Sequence, residues 1–277
     1  METTVKPWKP VVDKLMAGED YLSFSSLSAF KISPWHFIQY KLGKKEPPTP
    51  AMIYGSMVHC YILEPDKFDE RYFALDDTAK VAEIGGGNPR ATKVYKEWKA
   101  EQTSNIGNRE IVETGKMQQA KIIGEQVRNN DAVRYAMGKE GENEYKIEWE
   151  YMGFKFRGII DRRKEKENLD IKTCPDAEPR KFHRDVVYND HYLQGAMYSI
   201  GDGGGVKKHT MIAVDGTGGI SVHPISNLLM KAGFDEYQRL MTAFCSCIIK
   251  EDWDKNMEFF STQWSGSFPV ERPGWMF

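Results

Sequence analysis

Two aspartates and a lysine form the chain's most chemically suggestive pattern. The apolar run Gly158-Ile159-Ile160 leads directly into Asp161, and after a short charged turn comes Asp170-Ile171-Lys172. Side chains alternate faces along a strand, so Asp170 and Lys172 share one side while Ile171 takes the other. If the two segments pair as a hairpin, Asp161 comes close to Asp170. Carboxylates set in apolar strands are costly to bury unless they are paired or hold a metal. Two of them beside an ammonium make a site for a hard divalent cation and a phosphate. The competing reading is a solvated hairpin with scattered charge, which a chain with 28% charged residues readily supplies.

Two weaker clusters accompany it. His59 closes the run Gly55-Ser56-Met57-Val58-His59. A single histidine on an apolar helix is commonly a core residue, but Gly55 lies four positions earlier and leaves a bare patch where another backbone can approach. Gln194 and Tyr198 stand at the same spacing, so one helical face presents an amide and a phenol. Such pairs brace folds more often than they touch substrate. The triple glycine at 85–87 lacks the Gly-Lys-Ser/Thr that follows in a phosphate-binding P-loop, so it reads as a flexible loop.

These groups need elements to hold them. A serine-rich cap opens a helix near residue 24, Ser33-Pro34 breaks it, and 35–41 reads as a second helical piece. Residues 51–63 read as a buried helix ended by Pro65. Residues 79–90 read as a loop, 91–102 as a helix, and 113–137 as one long helix. From Tyr145 the period changes to two, with Ile147, Trp149 and Tyr151 alternating with charged residues; 154–161 and 169–173 continue a sheet. Residues 183–200 read as helical over their second half. A strand pair at 208–215 and 219–224 joins through Gly216-Thr217-Gly218, and 233–250 is a last amphipathic helix before an aromatic, proline-bearing tail. This order specifies a mixed α/β (α+β) fold, with a small central mixed sheet flanked by helices.

Length and composition set the outer bounds. With 277 residues, 40% of them hydrophobic, the chain can bury a substantial core. It shows neither an apolar run of membrane-spanning length nor a signal-peptide stretch, so a cytoplasmic protein with no membrane association is expected. Cys60, Cys174, Cys245 and Cys247 lack paired zinc-site spacing and are too few for a disulfide framework; no iron–sulfur cluster is expected. The net charge of −2 counts mildly against a sequence-independent DNA binder, although a local basic channel is compatible with it.

Taken in order, the motifs become specific. Gly-x-x-x-His, an aspartate ending a strand, Asp-x-Lys and Gln-x-x-x-Tyr form the succession seen in RecB-type PD-(D/E)xK nucleases. The chain resembles the RecE (exonuclease VIII) branch in particular. Leu27-Ser28-Ala29-Phe30 with Ser33-Pro34 is similar to that branch's opening helix. The run from Thr49 to His59, followed by Leu63-Glu64-Pro65, resembles its histidine motif. Gly158-Ile159-Ile160-Asp161, Asp170-Ile171-Lys172-Thr173 and Tyr192-Leu193-Gln194-Gly195-Ala196-Met197-Tyr198 follow. The similarity runs from about Ser23 to the tryptophan-containing tail, so a single nuclease domain over 23–277 after an extension at 1–22 is expected.

The resemblance implies a PD-(D/E)xK core with His59, Asp161, Asp170 and the Ile171 carbonyl as ligands of Mg2+, with Mn2+ as the alternative ion. It makes Lys172 the group that orients or activates the attacking water, with Gln194 and Tyr198 in support. The family's glutamate on the preceding strand has two candidates here, Glu144 and Glu148. Ile159 or Ile160 stands where the family usually has a basic residue. The implied activity is 5′→3′ degradation of linear double-stranded DNA from its ends, leaving 3′ single-stranded tails for an annealing protein in recombination. The implied assembly is a ring-shaped homo-oligomer, a trimer or tetramer, in a bacterial cell or a phage-infected host. Two rivals remain open: a non-catalytic DNA-binding recombination accessory protein, and a related nuclease acting on single-stranded or structured DNA.

Overall fold

Serine, threonine and proline punctuate the N-terminal helices. In the computed structural model, which describes residues 6–43, 47–203 and 207–260, α1 spans Lys9–Met16 and buries Val11, Val12 and Leu15. Ser23 caps α2 (Phe24–Ile32) through a reciprocal pair of bonds with Ser26. Ser33 then ends α2 and caps α3 (Pro34–Lys41), whose first residue is a proline that gives up no helical hydrogen bond there. Thr49 caps α4 (Pro50–Leu63), and a short turn leads through α5 (Phe68–Arg71) into β1 (Tyr72–Leu75). The tail beyond residue 260 lies outside the described residues.

The middle of the chain departs from the sequence expectations in three places. Residues 79–90 contain a helix, α6 (Thr78–Ile84), which Gly85 ends at φ +63°; α6 buries none of its residues, so it has no apolar stripe to betray it. After α7 (Lys93–Gln102), β2 (Glu110–Glu113) pairs in parallel with β1, and strands of four residues are too short to show a period. The expected long helix is divided into α8 (Thr114–Asn129) and α9 (Asp131–Met137). Asn130 adopts an extended ψ of 126° and its side chain caps Val133 N at 3.1 Å, so the local cap outweighs helix continuation.

The central sheet has five strands in the order β3-β4-β5-β6-β7. Strands β3 (Glu142–Tyr151), β4 (Phe154–Arg163) and β5 (Glu167–Cys174) form an antiparallel meander. A crossover through α10 (Pro179–Tyr188) and α11 (His191–Gly201) then places β6 (Lys208–Asp215) parallel to β5, and β7 (Ile220–Pro224) returns antiparallel. The mixed α/β architecture with a small flanked sheet is therefore as expected. Residues 179–188 are helical where only the second half of 183–200 was expected to be. Glu178 caps that helix, Pro179 starts it, and Phe182 and Val186 are its buried apolar pair.

The alternation of β5 assigns its faces. Leu169 and Ile171 pack with Met57 and Val58 of α4 and with Ile123 of α8. Asn168, Asp170 and Lys172 point the other way, toward α11. On that side Phe156 and Ile160 of β4 form a core with Leu193, Met197 and the last helix, α12 (Asn227–Lys250). Residues of α1, α2 and α3 join the same core. The four cysteines are free and lie in α4, β5 and α12. Among the described residues no helix is long and apolar enough to cross a membrane.

Candidate metal centre

Asp161 stands where the ladder is open on both sides. Between β3 and β4 the register joins Asn143 to Arg162 and Tyr145 to Ile160, and the intervening pair, Glu144 and Asp161, is skipped. Between β4 and β5 it joins Arg163 to Asn168 and Arg162 to Leu169, then stops before Asp161 and Asp170. The strands part there as a fork. Glu144 has φ +53°, a left-handed conformation uncommon for a residue with a side chain, and this turn of the backbone accompanies the break in the ladder.

Both skipped residues, Glu144 and Asp161, meet α4, which supplies His59. Nε2 of His59 lies 2.9 Å from Asp161 Oδ2, and Nδ1 lies 3.3 Å from Glu144 Oε1. One ligand atom from each of the three lies within 4.8 Å of the others. Asp161 Oδ2 also accepts the Ile171 backbone N–H at 2.6 Å, which ties the acid of β4 to β5 across the fork. Gly55 permits the close approach of α4 to β5, because a Cβ there would lie 2.6 Å from Thr173 Oγ1.

Asp170 is not part of this close group. It lies on the opposite face of β5, buried, with Oδ1 accepting from Lys172 Nζ at 3.0 Å. The ammonium also donates to Gln194 Oε1 at 2.9 Å, and Gln194 Nε2 donates to the Tyr198 hydroxyl at 3.2 Å. The ring of Tyr198 presses on bare backbone, since a Cβ at Gly158 would come within 2.6 Å of it. The helix i,i+4 pair thus forms one hydrogen-bonded line ending on the lysine. Glu148 stands apart: its carboxylate accepts from the Tyr21 hydroxyl at 3.1 Å. Of the two glutamates the structure brings only Glu144 to His59.

Burial and charge compete at every ionisable group. Burial disfavours the His59 imidazolium, but the hydrogen bond and charge of Asp161, with Glu144 and Asp170, raise its pKa above the ordinary value. Burial also works against the Asp161 carboxylate, yet the His59 bond, the Lys172 charge and the Ile171 N–H hold its pKa below the usual range. Glu144 is pushed up, by burial first and by the Asp161 charge, against the pull of His59. Lys172 overcomes its own desolvation through Asp170 and Asp161 and stays firmly protonated.

A cleft of about 530 Å3 opens over the site, lined by Met52, Gly55, Ser56, His59, Glu144 and Lys172 and continuing past Arg71, Tyr72, Ile171 and Thr173. A second cleft shares Arg71 and Tyr72 and extends to Arg109. Sequence reasoning missed Arg71 and Tyr72, which stand in a short helix and strand with no motif around them. Two carboxylates and an imidazole that converge in a water-accessible cleft are a donor set that fits a divalent cation, which would take the place of the proton that His59 shares with the two acids.

A profile of the PDDEXK-like domain of unknown function (DUF3799) matches residues 23–258. Among solved structures, the crystal structure of a "putative exonuclease" from Eubacterium rectale superposes with a TM-score of 0.56 at 14% identity, over 99% of this chain and 96% of that one. This likeness concerns the fold. SSO0001 matches 52% of this chain and 67% of its own at 14% identity and a TM-score of 0.27, too low to carry an argument. No curated protein matches the sequence.

Proposed function

Because the chain belongs to this PDDEXK-like family, whose domain spans residues 23–258, we propose that it is a Mg2+-dependent nuclease hydrolysing DNA phosphodiesters. The observation that carries this reading is the meeting of His59, Glu144 and Asp161 at the strand fork, one N–H···O bond from the strand that bears Asp170 and Lys172. His59, Glu144 and Asp161 hold the cation, joined by Asp170 and the Ile171 carbonyl. A bound divalent cation supplies charge neutralisation for a phosphodiester and a lowered pKa for the attacking water.

The chain's own groups do the rest. A lysine held protonated cannot accept a proton, so Lys172 acts as a fixed positive charge that orients water and steadies the charge growing on phosphorus. Gln194 aims the ammonium, and Tyr198 aims Gln194. Arg71, on the rim of the cleft, offers a guanidinium to the nucleic-acid backbone.

The resemblance to the RecE branch supports a finer reading: 5′→3′ action on the ends of linear double-stranded DNA, 3′ tails passed to a single-strand annealing protein, and a ring of subunits giving processivity. Linear duplex labelled at either the 5′ or the 3′ end, digested with and without Mg2+ beside a circular control, tests activity, metal and direction together. Mg2+-dependent release of the 5′ label from linear DNA alone is expected. Absence of any hydrolysis would refute the enzyme reading, and cutting of circles or single strands would replace the substrate class.

A further inference from the structure

Of the ten buried side-chain polar atoms that make no hydrogen bond among the described residues, seven belong to five residues of β5, β6 and α11. They are both amide atoms of Asn168, both ring nitrogens of His209, the Ser199 hydroxyl, His191 Nδ1 and Asp170 Oδ2. The last has only an off-line ion contact with Lys172 Nζ at 2.8 Å.

Their proximity follows from register and helix period. Asn168 faces His209 across the parallel β5–β6 ladder, and Asp170 is two residues along β5 on the same side. On α11, His191, Gly195 and Ser199 recur every four residues and so form one line. Gly195 rests on the His209 ring, where a Cβ would come within 2.7 Å of Cδ2. That contact puts Ser199 and His191 one turn to either side of the imidazole. Asn168 and Ser199 are fully buried and His209 is 1% exposed, so bulk solvent does not reach them. Burial keeps His209 neutral, and a neutral imidazole is both donor and acceptor.

Native proteins seldom leave even one such group unpaired, and a polar enclosure with several donors and acceptors is where internal water is held, each molecule making about three hydrogen bonds. We propose that this seam is an internal water site, and that its water donates to Asp170 Oδ2. Asn168 and His209 are then positioning residues: they fix, through water, Oδ2 of the acid whose Oδ1 accepts the Lys172 hydrogen bond. This second role rests on the metal-centre reading given above, since carboxylates that hold a cation are usually held in turn by such bonds.

A crystal structure of the metal-free protein at a resolution that shows ordered water tests the site directly. Water within hydrogen-bonding distance of Asn168 and His209 is expected; a dry seam overturns the proposal. The positioning role is read by calorimetric titration with Mn2+. His209→Leu should weaken binding about tenfold, while His209→Gln, which keeps a donor and an acceptor, should restore it to within about twofold. Unchanged affinity in a folded His209→Leu protein overturns that role. If His209→Leu does not fold, Ser199→Ala, which removes a single hydroxyl, must lower the affinity measurably or the role fails. A wild-type protein that binds no Mn2+ refutes the metal centre instead, and the crystal alone then decides the seam.

Discussion

Asp202 and the acids of the fork lie near one end of β4 and are compensated in opposite ways. Asp202, with 3% of its side chain exposed, accepts from Arg163 Nε at 2.6 Å through one oxygen and from Lys207 Nζ at 2.5 Å through the other. One acid there has two permanent cations. At the fork Asp161 and Glu144, with Asp170 on the other face of β5, share Lys172, the more distant charge of Arg71 and an imidazole that is positive only while protonated. Of the two regions, only the fork is short of positive charge. A buried acid with its own cations is scaffold; a cluster that lacks one holds a place for a cation from solution.

The sharpest way to break this contrast is Asp161→Asn. The change keeps shape and removes one charge, so Mg2+-dependent hydrolysis should fall on the order of a thousandfold, equivalent to several kcal/mol of lost charge stabilisation. Mn2+ binding should be lost with it, while the melting midpoint in EDTA stays within a few degrees of wild type. Hydrolysis at the wild-type rate would mean that the fork is not the active centre.

The converse substitution, Asp202→Ala, should leave hydrolysis per folded molecule untouched and damage the fold. Removing one member of a buried ion pair leaves the partner uncompensated, at a cost of about 3 kcal/mol, toward the low end because Arg163 is 31% exposed. Denaturant unfolding in EDTA measures it. A loss of activity without a loss of stability would erase the distinction between scaffold acid and site acid.

How much of this was legible in the sequence depends on the distance over which each contact acts. Asp170 and Lys172 share a strand face at i,i+2, and Gln194 and Tyr198 a helix face at i,i+4, so spacing alone pairs them, and the structure joins them as hydrogen-bonded neighbours. The meeting of His59 with Glu144 joins α4 to β3 and has no local signature. The same limit governs the fold. Strands β3 to β6 carry apolar alternation or apolar runs and were visible, whereas β1 and β2 are four residues each and α6 buries nothing. The hydrated seam was invisible for another reason: Asn168, His209 and Ser199 are unremarkable until register and α11 place them together.

The seam also differs from the fork in how it should respond to acid. Burial depresses the His209 pKa to about 4, below the roughly 6.5 of an exposed histidine. As pH falls below 6.5 the unfolded chain takes up this proton and the folded one does not, so stability is present above that value and is lost on the way down to about 4. By pH 5 about 2 kcal/mol of this stability is lost. Urea unfolding in EDTA at pH 7 and pH 5 should therefore show a smaller acid loss in His209→Gln than in wild type. An equal loss in both would mean that the buried imidazole is not what makes the fold acid-sensitive.

The smallest effect tests which glutamate belongs to the site. On a continuous strand Glu144 and Glu148 are chemically equivalent, and the ladder separates them: Glu148 faces Arg157, four residues from Asp161, or about 13 Å at a strand's rise. Glu144 occupies the skipped position opposite Asp161 and turns at φ +53°, a conformation that costs energy for a residue with a Cβ and persists where its surroundings impose it. Glu144→Gln keeps the length and hydrogen-bonding capacity but removes the charge that His59 feels. Mn2+ affinity should fall roughly tenfold, since Gln keeps an oxygen ligand but loses its charge. Glu148→Gln should leave the affinity within twofold, because its carboxylate meets Tyr21 rather than the fork. Were the two variants to lose affinity equally, net charge on β3 rather than position at the fork would govern binding, and the three-acid count that sets this region apart from Asp202 would no longer hold.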